Sequence, residues 1–581
     1  MRKITKLQEW ARKRIYEIVV VAICVLALGG MVAQKEGFHM DELLSFELAN
    51  AQFNPWIVPT QPEGRLAKFV RNEIDGANLG ETTGNLIEVV KDVFQNRGES
   101  KLLSYKADVY EEPIWITREQ FEDYITVDDD GFNYLSVYFN VKDDNHPPVH
   151  FMLLHTICSI FKGYVTPIMG CVINLAAVVG ILILLMKSGN LLAQMLGMEQ
   201  KARWVGLICA LLYGLSAGAV TTTLLIRMYG VLTLLCVAFF YVSLCKWHKK
   251  EFTSHNKGLI AITVLGFWTQ YFFLFYCILL VAVLVCLLWK EKRIKEMWIY
   301  IRSMVIAAVV GVGLFPFAIS DVFSSGRGVE ALENLSQGLG GYGERLLAFG
   351  NILLERGLGW FTGLVILLIV VGGIASKKVG KTFCNAASTM ILLIVPVVGY
   401  FLLAARMSPY LVDRYIMPIF PFVMLIAGVA IMMAVIVIEK AWKQEIKGML
   451  LCFCVLVIQL CNLLHYDGSY LYKGYQEQLE FAKEHSDSAC ICVYDGVGYY
   501  ENLQEFACYD KTLLVKMDEL RERKDTASLE ELEKIVVLMK ANVEWEQVVS
   551  IMQEQYQLTL IQDWSGNSVY GDKILVFAAE N

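Results

Sequence analysis

Residues 165–186 read VTPIMGCVINLAAVVGILILLM, a run without a single charged side chain. A helix rises about 1.5 Å per residue, so a run of this length crosses the roughly 30 Å hydrocarbon core of a bilayer. Comparable apolar runs recur between residues 15 and 464 and predict a polytopic membrane protein with about eleven transmembrane helices. The predicted spans are 15–33, 165–186, 204–222, 229–246, 258–271, 273–289, 303–320, 358–375, 387–404, 415–438 and 448–464.

The composition of the whole chain agrees with this prediction. Of its 581 residues, 56% are hydrophobic and 19% are charged, whereas soluble proteins average about 45–50% and about 25%. A formal net charge of −7 argues against a nucleic-acid partner, because nucleic-acid-binding proteins need a basic face. The abundance of apolar residues also excludes a disordered chain.

The distribution of Lys and Arg predicts the orientation in the membrane. Basic residues cluster before the first apolar run and in every second connection after it. Because cytoplasmic loops are enriched in Lys and Arg, we place these segments in the cytoplasm. We interpret residues 15–33 as an uncleaved anchor, since no small-x-small cleavage site follows. The N-terminus is then cytoplasmic, and an odd number of spans makes the C-terminal segment extracytoplasmic.

Two segments are too long and too polar to be simple connections. The outer first loop, residues 34–146, is rich in Asp and Glu, and with its juxtamembrane helices it extends to 164. Residues 465–581 alternate between strand and helix patterns. We therefore expect a transmembrane module at 1–464 and a small extracytoplasmic α/β domain at 465–581. Its predicted strands are 489–494, 512–516, 534–539, 557–562 and 572–578, and its predicted helices are 474–486, 498–506 and 543–555.

Five polar groups stand beside the outer ends of the predicted spans, where ionisable residues are costly and often functional. The first, Phe38-His39-Met40-Asp41-Glu42, follows the first span by about eight residues. Adjacent carboxylates can provide a general base together with an orienting partner or a metal ligand. The alternative is the N-terminus of a helix, where acidic side chains interact favourably with the helix dipole.

The second group is Asp143-Asp144-Asn145-His146-Pro147-Pro148, which precedes the apolar stretch 149–161. Paired prolines favour an extended entry into a helix. This helix is too short to span a bilayer and is predicted to lie at the interface. His146 is the polar residue best placed to contact a substrate, whereas His150 and His155 are more typical of packing.

The remaining groups combine arginine and aromatic residues. Arg227-Met228-Tyr229 opens the fourth span, and Asp413-Arg414-Tyr415 precedes the tenth. Either arginine can bind a lipid phosphate through paired hydrogen bonds. The alternatives are a snorkelling anchor for the first arginine and an ion pair with Asp413 for the second. The aromatic turn at 268–273 can equally be part of an interfacial aromatic belt.

A glycine-rich connection links the seventh and eighth spans at residues 321–351. Its pattern is typical of a mobile segment that gates an active site, or of a passive connector. The glycines concerned are Gly326, Gly328, Gly338, Gly340, Gly341 and Gly343.

Taken in order, the five polar groups resemble the motifs of the C-type (GT-C) integral-membrane glycosyltransferases. Most similar are bacterial relatives of protein O-mannosyltransferases and aminoarabinose transferases, which are glycosyltransferase family 39-like. Each motif alone is weak, but five in this order over about residues 15–440 are fairly specific. The matching residues are Asp41-Glu42, His146-Pro147-Pro148, Arg227-Met228-Tyr229, Thr269-Gln270-Tyr271-Phe272 and Arg414-Tyr415.

The resemblance implies a mainly α, GT-C-like polytopic helical bundle with a large outer loop and a small C-terminal α/β domain. It also implies a polyprenyl-phosphate sugar as donor and one inverting displacement by an acceptor hydroxyl of a protein, lipid or cell-wall glycan. Asp41 would be the general base, and Glu42 would orient it or bind a divalent cation such as Mg²⁺ or Mn²⁺. The donor phosphate would be held by Arg227, Tyr229, Arg414 and Tyr415, and the substrate would contact His146, Gln270 and Tyr271.

Two departures from the family pattern leave other functions open. Family members often carry Glu two residues before the arginine of Arg-Met-Tyr, where this chain has Leu225, and Gln270 replaces a histidine. A non-catalytic relative that binds or assembles other components is one alternative. A transporter or lipid flippase is another, but charged residues are nearly absent from the middles of the predicted spans, and no Gly/Pro-broken helices repeat in two halves.

Overall fold

The structure of the chain is a computed structural model. It describes residues 14–53, 69–70, 72–96, 101–104, 113–144, 146–252, 256–319, 330, 333–335, 340–359, 361–379, 386–522 and 533–579. The chain divides into two compact units, each assembled from separate segments. The helical unit comprises Met1–Ala33, Asn145–His150 and Cys171–Ser469, and the mixed unit comprises Gln34–Asp144, Phe151–Gly170 and Tyr470–Asn581.

The helical unit contains a helix at each of the eleven predicted spans. Its helices are Ile15–Val32, Pro167–Met195 (which begins in the mixed unit), Ala202–Gly214, Ala217–Leu224, Tyr229–Lys249, Lys257–Thr269, Phe273–Lys290, Ile294–Leu314, Tyr342–Leu353, Phe361–Val379, Ala386–Met407, Phe420–Trp442 and Gly448–Leu464. Short 3₁₀ turns lie at Glu199–Lys201, Asp413–Tyr415 and Met417–Ile419, and a π-helical turn lies at Leu354–Leu358.

Length and composition support a multi-pass membrane protein. Within the described parts of the chain, seven helices are long and apolar enough to cross a membrane, or up to nine if two bent pairs count as single spans. Two shorter apolar helices, Lys257–Thr269 and Gly448–Leu464, coincide with the remaining predicted spans. The neighbouring predicted spans 258–271 and 273–289 are separate helices.

One predicted span is broken in the structure. The sequence predicts a continuous helix at 204–222, whereas the helices Ala202–Gly214 and Ala217–Leu224 meet at an angle of 59°. Ser216 causes the break, because its side chain accepts a hydrogen bond from the backbone N–H of Ala219 at 3.1 Å and so caps a new helix. The predicted span at 204–222 therefore consists of two helices in the structure.

The helices of this unit approach one another closely at small residues. A Cβ atom added to Gly206 would lie 2.3 Å from the carbonyl oxygen of Met186, and one added to Gly428 would lie 2.5 Å from Cys209 Sγ. Such contacts are typical of membrane helices, where small residues let the backbones pack together.

The mixed unit is built on a six-stranded sheet in the order β1-β3-β2-β4-β6-β5. Strand β2 is parallel to β3 and β4, and the other pairings are antiparallel. The strands are β1 (Trp115–Thr117), β2 (Ala489–Val493), β3 (Lys511–Val515), β4 (Lys534–Met539), β5 (Leu558–Asp563) and β6 (Lys573–Ala579). The five strands predicted for the C-terminal segment are confirmed. The sixth, β1, comes from the first loop, and a three-residue strand leaves too short a pattern to predict.

The mixed unit also contains helices. They are Met40–Asn50, Leu79–Asn96, Lys101–Ser104, Arg118–Ile125, Tyr134–Asn140, Val149–Ile160 (whose first two residues belong to the helical unit), Tyr475–Glu484, Leu503–Phe506, Met517–Arg521 and Trp545–Glu554, with 3₁₀ turns at Val141–Asp143, Gly498–Asn502 and Ser565–Asn567. The first loop is tied to the C-terminal segment beside β1, where Arg118 donates hydrogen bonds to the carbonyl oxygens of Ser486 and Tyr509 at 2.7 and 3.2 Å.

Parts of two predicted features lie outside the described residues. In the glycine-rich connection these parts are 321–329, 331–332 and 336–339, which contain Gly326, Gly328 and Gly338. Gly340, Gly341 and Gly343 are described, and Gly341 precedes the helix Tyr342–Leu353 with a φ of 74°. Asn145 of the second polar group also lies outside the described residues.

Candidate active site

Arg227 lies in a tight turn between the helices Ala217–Leu224 and Tyr229–Lys249. Its backbone N–H donates to the carbonyl oxygen of Leu225 at 2.7 Å, and the side-chain amide of Asn174 donates to the same oxygen at 2.5 Å. The turn fits against Asn174 because the next helix has Gly230, where an added Cβ would lie 2.5 Å from the asparagine Oδ1. The arginine therefore projects from the start of a helix, where the dipole favours anions.

The guanidinium of Arg227 is buried against His146. Only 3% of the residue is exposed, and Nη2 lies 3.3 Å from His146 Nε2. A guanidinium can only donate, so the facing ring nitrogen of the histidine accepts. A snorkelling arginine would hold its charge in water, and the burial of Arg227 argues against that alternative. Two of the predicted polar groups thus meet within the helical unit.

Tyr415 joins two further motifs to that of Arg227. Its ring stacks on Phe272 with centroids 5.2 Å apart, and Tyr229 packs against it edge-on at 6.5 Å. The Arg414 guanidinium lies 5.6 Å from the centroid of the same ring. The hydroxyl of Tyr400 donates to the carbonyl oxygen of Tyr415 at 2.9 Å and holds the 3₁₀ turn in place. These contacts join the turn of Arg227 and Tyr229 to the turn of Arg414 and Tyr415. We call the whole set the arginine cluster (His146, Arg227, Tyr229, Phe272, Arg414 and Tyr415).

The aromatic turn is stabilised by its own side chains. Gln270 is extended and buried, and its Oε1 accepts a hydrogen bond from the backbone N–H of Tyr271 at 2.6 Å. Trp268 donates to the carbonyl oxygen of Gly311 at 2.9 Å. Gln270 therefore uses one of its polar atoms to shape the turn that presents Phe272 to Tyr415. Tyr271 packs against Phe267 with ring centroids 5.5 Å apart.

Asp413 of the fifth polar group lies beside an arginine that the motifs do not include. Its carboxylate is 3.9 Å from Nε of Arg356, and Arg356 binds Asp467 through two hydrogen bonds of 2.8 Å. Burial by itself raises the pKa of Asp467, but hydrogen bonds from Arg356 and Ser469 outweigh it and hold this pKa at about 2. Arg356 was not among the predicted site residues. An arginine in a connection predicted to face outwards is itself an unusual signal, because Lys and Arg are enriched in cytoplasmic loops.

Arg356 lines a cavity of about 570 Å³ within the helical unit. The charged residues of its lining include Glu355 and Asp467, so the carboxylates outnumber the single guanidinium. Phosphate is a poor ligand for such a lining, because its charge would meet carboxylates. The lining residues are Ser216, Ala217, Asn351, Leu354, Glu355, Arg356, Gly357, Gly359, Thr362, Gln459, Asn462, His465, Tyr466 and Asp467.

The acidic pair lies in the mixed unit, in the first turn of the helix Met40–Asn50. His39 is the N-cap and its Nδ1 accepts from the backbone N–H of Asp41 at 3.1 Å, while Glu42 accepts from the backbone N–H of His39 at 2.8 Å. This reciprocal arrangement is a capping box. The pair thus marks a helix N-terminus, as the alternative interpretation of the motif expected, and 15% of the Asp41 side chain remains exposed.

Glu42 is also joined to a buried lysine. The Nζ of Lys35 lies 3.0 and 3.2 Å from the two carboxylate oxygens, and both side chains are fully buried. We call Lys35, His39, Asp41 and Glu42 the carboxylate cluster. An ammonium and a backbone N–H already occupy the Glu42 oxygens, so the pair does not suit a divalent cation. Within the described residues, no group of three or more His, Cys, Asp or Glu side chains could hold a metal.

The comparisons with known proteins concern the fold. No protein family model and no curated protein matches the sequence. The crystal structure of ArnT from Cupriavidus metallidurans bound to undecaprenyl phosphate is similar over 98% of this chain and 99% of that chain, with a TM-score of 0.50 and 11% identity. The apo state of the same protein matches 80% of this chain and 93% of its own length, with a TM-score of 0.44 and 12% identity.

These findings confirm the fold that the motifs led us to expect. ArnT is a GT-C glycosyltransferase, and its fold extends over nearly the whole of this chain, including the C-terminal sheet. The predicted site residues fall into the arginine cluster of the helical unit, the neighbouring turn at Gln270 and Tyr271, and the carboxylate cluster of the mixed unit. The chain is a multi-pass membrane protein with a GT-C-like helical bundle and a small C-terminal α/β region.

Proposed function

We propose that this protein is a membrane glycosyltransferase that moves a sugar from a polyprenyl-phosphate donor to an acceptor hydroxyl. The observation that carries the proposal is the arginine cluster, in which the buried Arg227 meets His146 and Arg414 lies against the ring of Tyr415. The likeness to ArnT supports it, because that protein was crystallised with undecaprenyl phosphate.

The chemistry of the arginine cluster suits a lipid phosphate. A guanidinium binds phosphate oxygens through parallel hydrogen bonds and keeps its charge at every relevant pH. The rings of Tyr229, Phe272 and Tyr415 offer an apolar surface beside these cations, which can pack against an isoprenoid or a sugar face. Gln270 and Tyr271 shape the adjacent turn, so we assign them a role in substrate binding together with His146.

In the proposed reaction Asp41 accepts the proton of the acceptor hydroxyl. The hydroxyl oxygen forms a bond to the anomeric carbon while the bond from that carbon to the phosphate oxygen breaks, which inverts the configuration. The electron pair of the broken bond stays on the departing polyprenyl phosphate. Arg227 and Arg414 stabilise that charge, as positioned cations do in dry sites. Glu42 orients the base through the capping box, and no step uses a metal ion.

We place this reaction on the outer face of the membrane, with a cytoplasmic N-terminus and an extracytoplasmic C-terminal domain. The support is the alternation of Lys- and Arg-rich connections along the sequence. The acceptor classes that fit the proposal are a protein, a lipid or a cell-wall glycan exposed on that face.

The test is sugar transfer by the purified full-length protein in nanodiscs. Radiolabelled polyprenyl-phosphate sugars serve as donors and native membranes as acceptor, and the release of polyprenyl phosphate is measured. Asp41→Asn should lower the rate by about 10²- to 10⁴-fold, the usual contribution of a general base. The matched control is Asp129→Asn, an exposed carboxylate of the same unit, which should turn over like the wild type.

Two outcomes would contradict the proposal in different ways. Equal rates for Asp41→Asn and the wild type would remove Asp41 as the base. Binding of polyprenyl phosphate without turnover of any donor would instead favour a non-catalytic relative, the second candidate function. The substitution of Leu225 for the usual Glu, in the turn that carries Arg227, is the observation that favours this candidate.

A further inference from the structure

The segment before the acidic pair is held by the C-terminal part of the mixed unit. The backbone N–H of Glu36 donates to the carbonyl oxygen of Leu471 at 2.8 Å. The Glu36 carboxylate accepts from the backbone N–H of Gly474 at 2.7 Å, and its carbonyl oxygen accepts from the side chain of Gln476 at 3.1 Å. Three hydrogen bonds thus join Glu36 to residues 471–476, which lie more than four hundred positions away in the sequence.

Lys35 extends this attachment to the helix that carries Asp41. Besides binding Glu42, its Nζ donates to the carbonyl oxygen of Tyr470 at 2.7 Å and lies 5.0 Å from the centroid of the Tyr472 ring. A single buried ammonium therefore joins the first turn of that helix to residues 470–472. Because the charge is fully buried, moving either partner away would leave it without compensation.

Gly37 and Phe38 complete the attachment. A Cβ added to Gly37 would lie 2.8 Å from Tyr475 Cγ and 2.9 Å from Tyr472 Cβ, so the backbone passes in direct contact with these rings. The hydroxyl of Tyr570 donates to the carbonyl oxygen of Phe38 at 2.7 Å. That carbonyl belongs to the residue just before the N-cap of the helix, where the direction of the chain into the helix is set.

Tyr570 in turn packs against a buried polar network. Lys540 lies 5.6 Å from the centroid of its ring. The Lys540 Nζ is 2.8 Å from Asp572 and 3.0 Å from Glu501, and it donates to Asn502 at 3.0 Å. The 3₁₀ turn that contains the last two residues packs on the helix Met40–Asn50. This helix is therefore restrained both at its N-terminus and along its side.

We propose that residues 470–474 and Tyr570 act as a clamp on residues 35–38, and that the clamp sets the position of Asp41. Lys35 and Tyr570 are then positioning residues for the transfer reaction. The positioning role rests on the proposed function, whereas the clamp itself does not. A misplacement of about 1 Å can cost about a hundredfold in rate, so an enzyme gains from holding its base by buried bonds.

The first experiment compares two neighbouring buried tyrosines by hydrogen–deuterium exchange of the full-length protein in nanodiscs. The rings of Tyr570 and Tyr475 are 5.7 Å apart, but the Tyr475 hydroxyl has no hydrogen-bond partner among the described residues. Tyr570→Phe should speed exchange of the backbone amides of 35–45 by about fivefold, as expected for one lost hydrogen bond. Tyr475→Phe should leave it unchanged. Equal exchange in all three proteins would overturn the clamp.

The second experiment measures turnover of the same variants with the donor on which the wild type is active. Tyr570→Phe should lower kcat by about tenfold to a hundredfold, with an unchanged KM for the donor and wild-type binding of polyprenyl phosphate. Tyr475→Phe should match the wild type. An unchanged kcat despite faster exchange would overturn the positioning role. Inactivity of the wild type with every donor would instead count against the proposed function. The hydrogen–deuterium exchange experiment would then be the test of the clamp.

Discussion

The arginine cluster and the carboxylate cluster obtain their partners in different ways. Arg227 and Arg414 lie in short turns beside helices, and the contacts of the arginine cluster join residues far apart in sequence, such as Arg227 with His146 and Tyr415 with Phe272. The four residues of the carboxylate cluster are close together in sequence, but distant parts of the chain hold the segment that carries them, since Lys35 binds a carbonyl 435 positions away and Phe38 accepts from a hydroxyl 532 positions away. Helix packing thus assembles the arginine cluster, whereas the carboxylate cluster forms locally and is held in place by distant residues.

The largest expected effect comes from breaking the carboxylate cluster. Lys35→Met leaves Glu42 buried without its cation, which typically costs about 3–5 kcal/mol. Thermal unfolding in detergent measures the loss. Adding Glu42→Gln should recover part of the stability, because no unpaired charge then remains buried. The control is Lys573→Met, whose ion pair with Asp563 is exposed and worth about 0–1 kcal/mol. Equal losses in the single and double variants would contradict the prediction.

A smaller effect is expected from breaking the arginine cluster. Arg227→Gln removes the buried charge and should weaken binding of polyprenyl phosphate by about ten- to a hundredfold, the usual range for a hydrogen bond to a charged group. Equilibrium binding in nanodiscs measures this affinity. Arg203→Gln is the matched control, because that arginine is engaged by Glu17 at 2.7 Å and should leave the affinity unchanged. Equal affinities of both variants would exclude the cluster as the phosphate site.

The buried acid Glu505 should make the stability of the mixed unit, which contains the carboxylate cluster, depend on pH. Burial raises its pKa to about 8, despite hydrogen bonds from Gln478 and Asn502 and the charge of Lys540, while Asp572 raises it further. Between pH 4.5 and about 8 the unfolded chain has released this proton and the folded protein retains it. Stability therefore falls as pH rises through this window.

Glu505→Gln should remove this dependence. At pH 9 the thermal midpoint of the variant should exceed that of the wild type by several degrees, while at pH 4 the two should be nearly equal. Glu480→Gln, an exposed carboxylate on a helix of the same unit, should follow the wild type at both values. A constant difference between Glu505→Gln and the wild type across the range would refute the prediction.

The smallest expected effect tests one hydroxyl of the arginine cluster. Tyr415→Phe keeps the stacking on Phe272 and should weaken binding of polyprenyl phosphate by about fivefold, the usual net worth of one hydrogen bond. The control is Tyr276→Phe, because the Tyr276 ring also stacks, on Phe422, and its hydroxyl has no hydrogen-bond partner among the described residues. An unchanged affinity of Tyr415→Phe would assign Tyr415 to packing alone.

Much of the candidate site was predictable because its motifs are local. The turn around Arg227 and the helix start at Asp41 follow from a few adjacent residues, which the sequence displays directly. Tyr570 was not predicted, because nothing near it in the sequence indicates its partner Phe38, and the same holds for the contact of Lys35 with Tyr470. Arg356 was missed for the same reason, since its contacts with Asp413 and Asp467 depend on how helices pack.

The sequence by itself determined the membrane class, the positions of the helices, five of the six strands and the order of the motifs. These features depend on patterns within a single segment. Hydrophobic runs bury apolar surface wherever they occur, and turn residues end a helix. The tertiary structure decided which groups meet: Arg227 with His146, Tyr415 with Phe272, and the hydroxyl of Tyr570 with the carbonyl oxygen of Phe38. Such contacts depend on closing long stretches of chain, and the residues near each partner do not encode that closure.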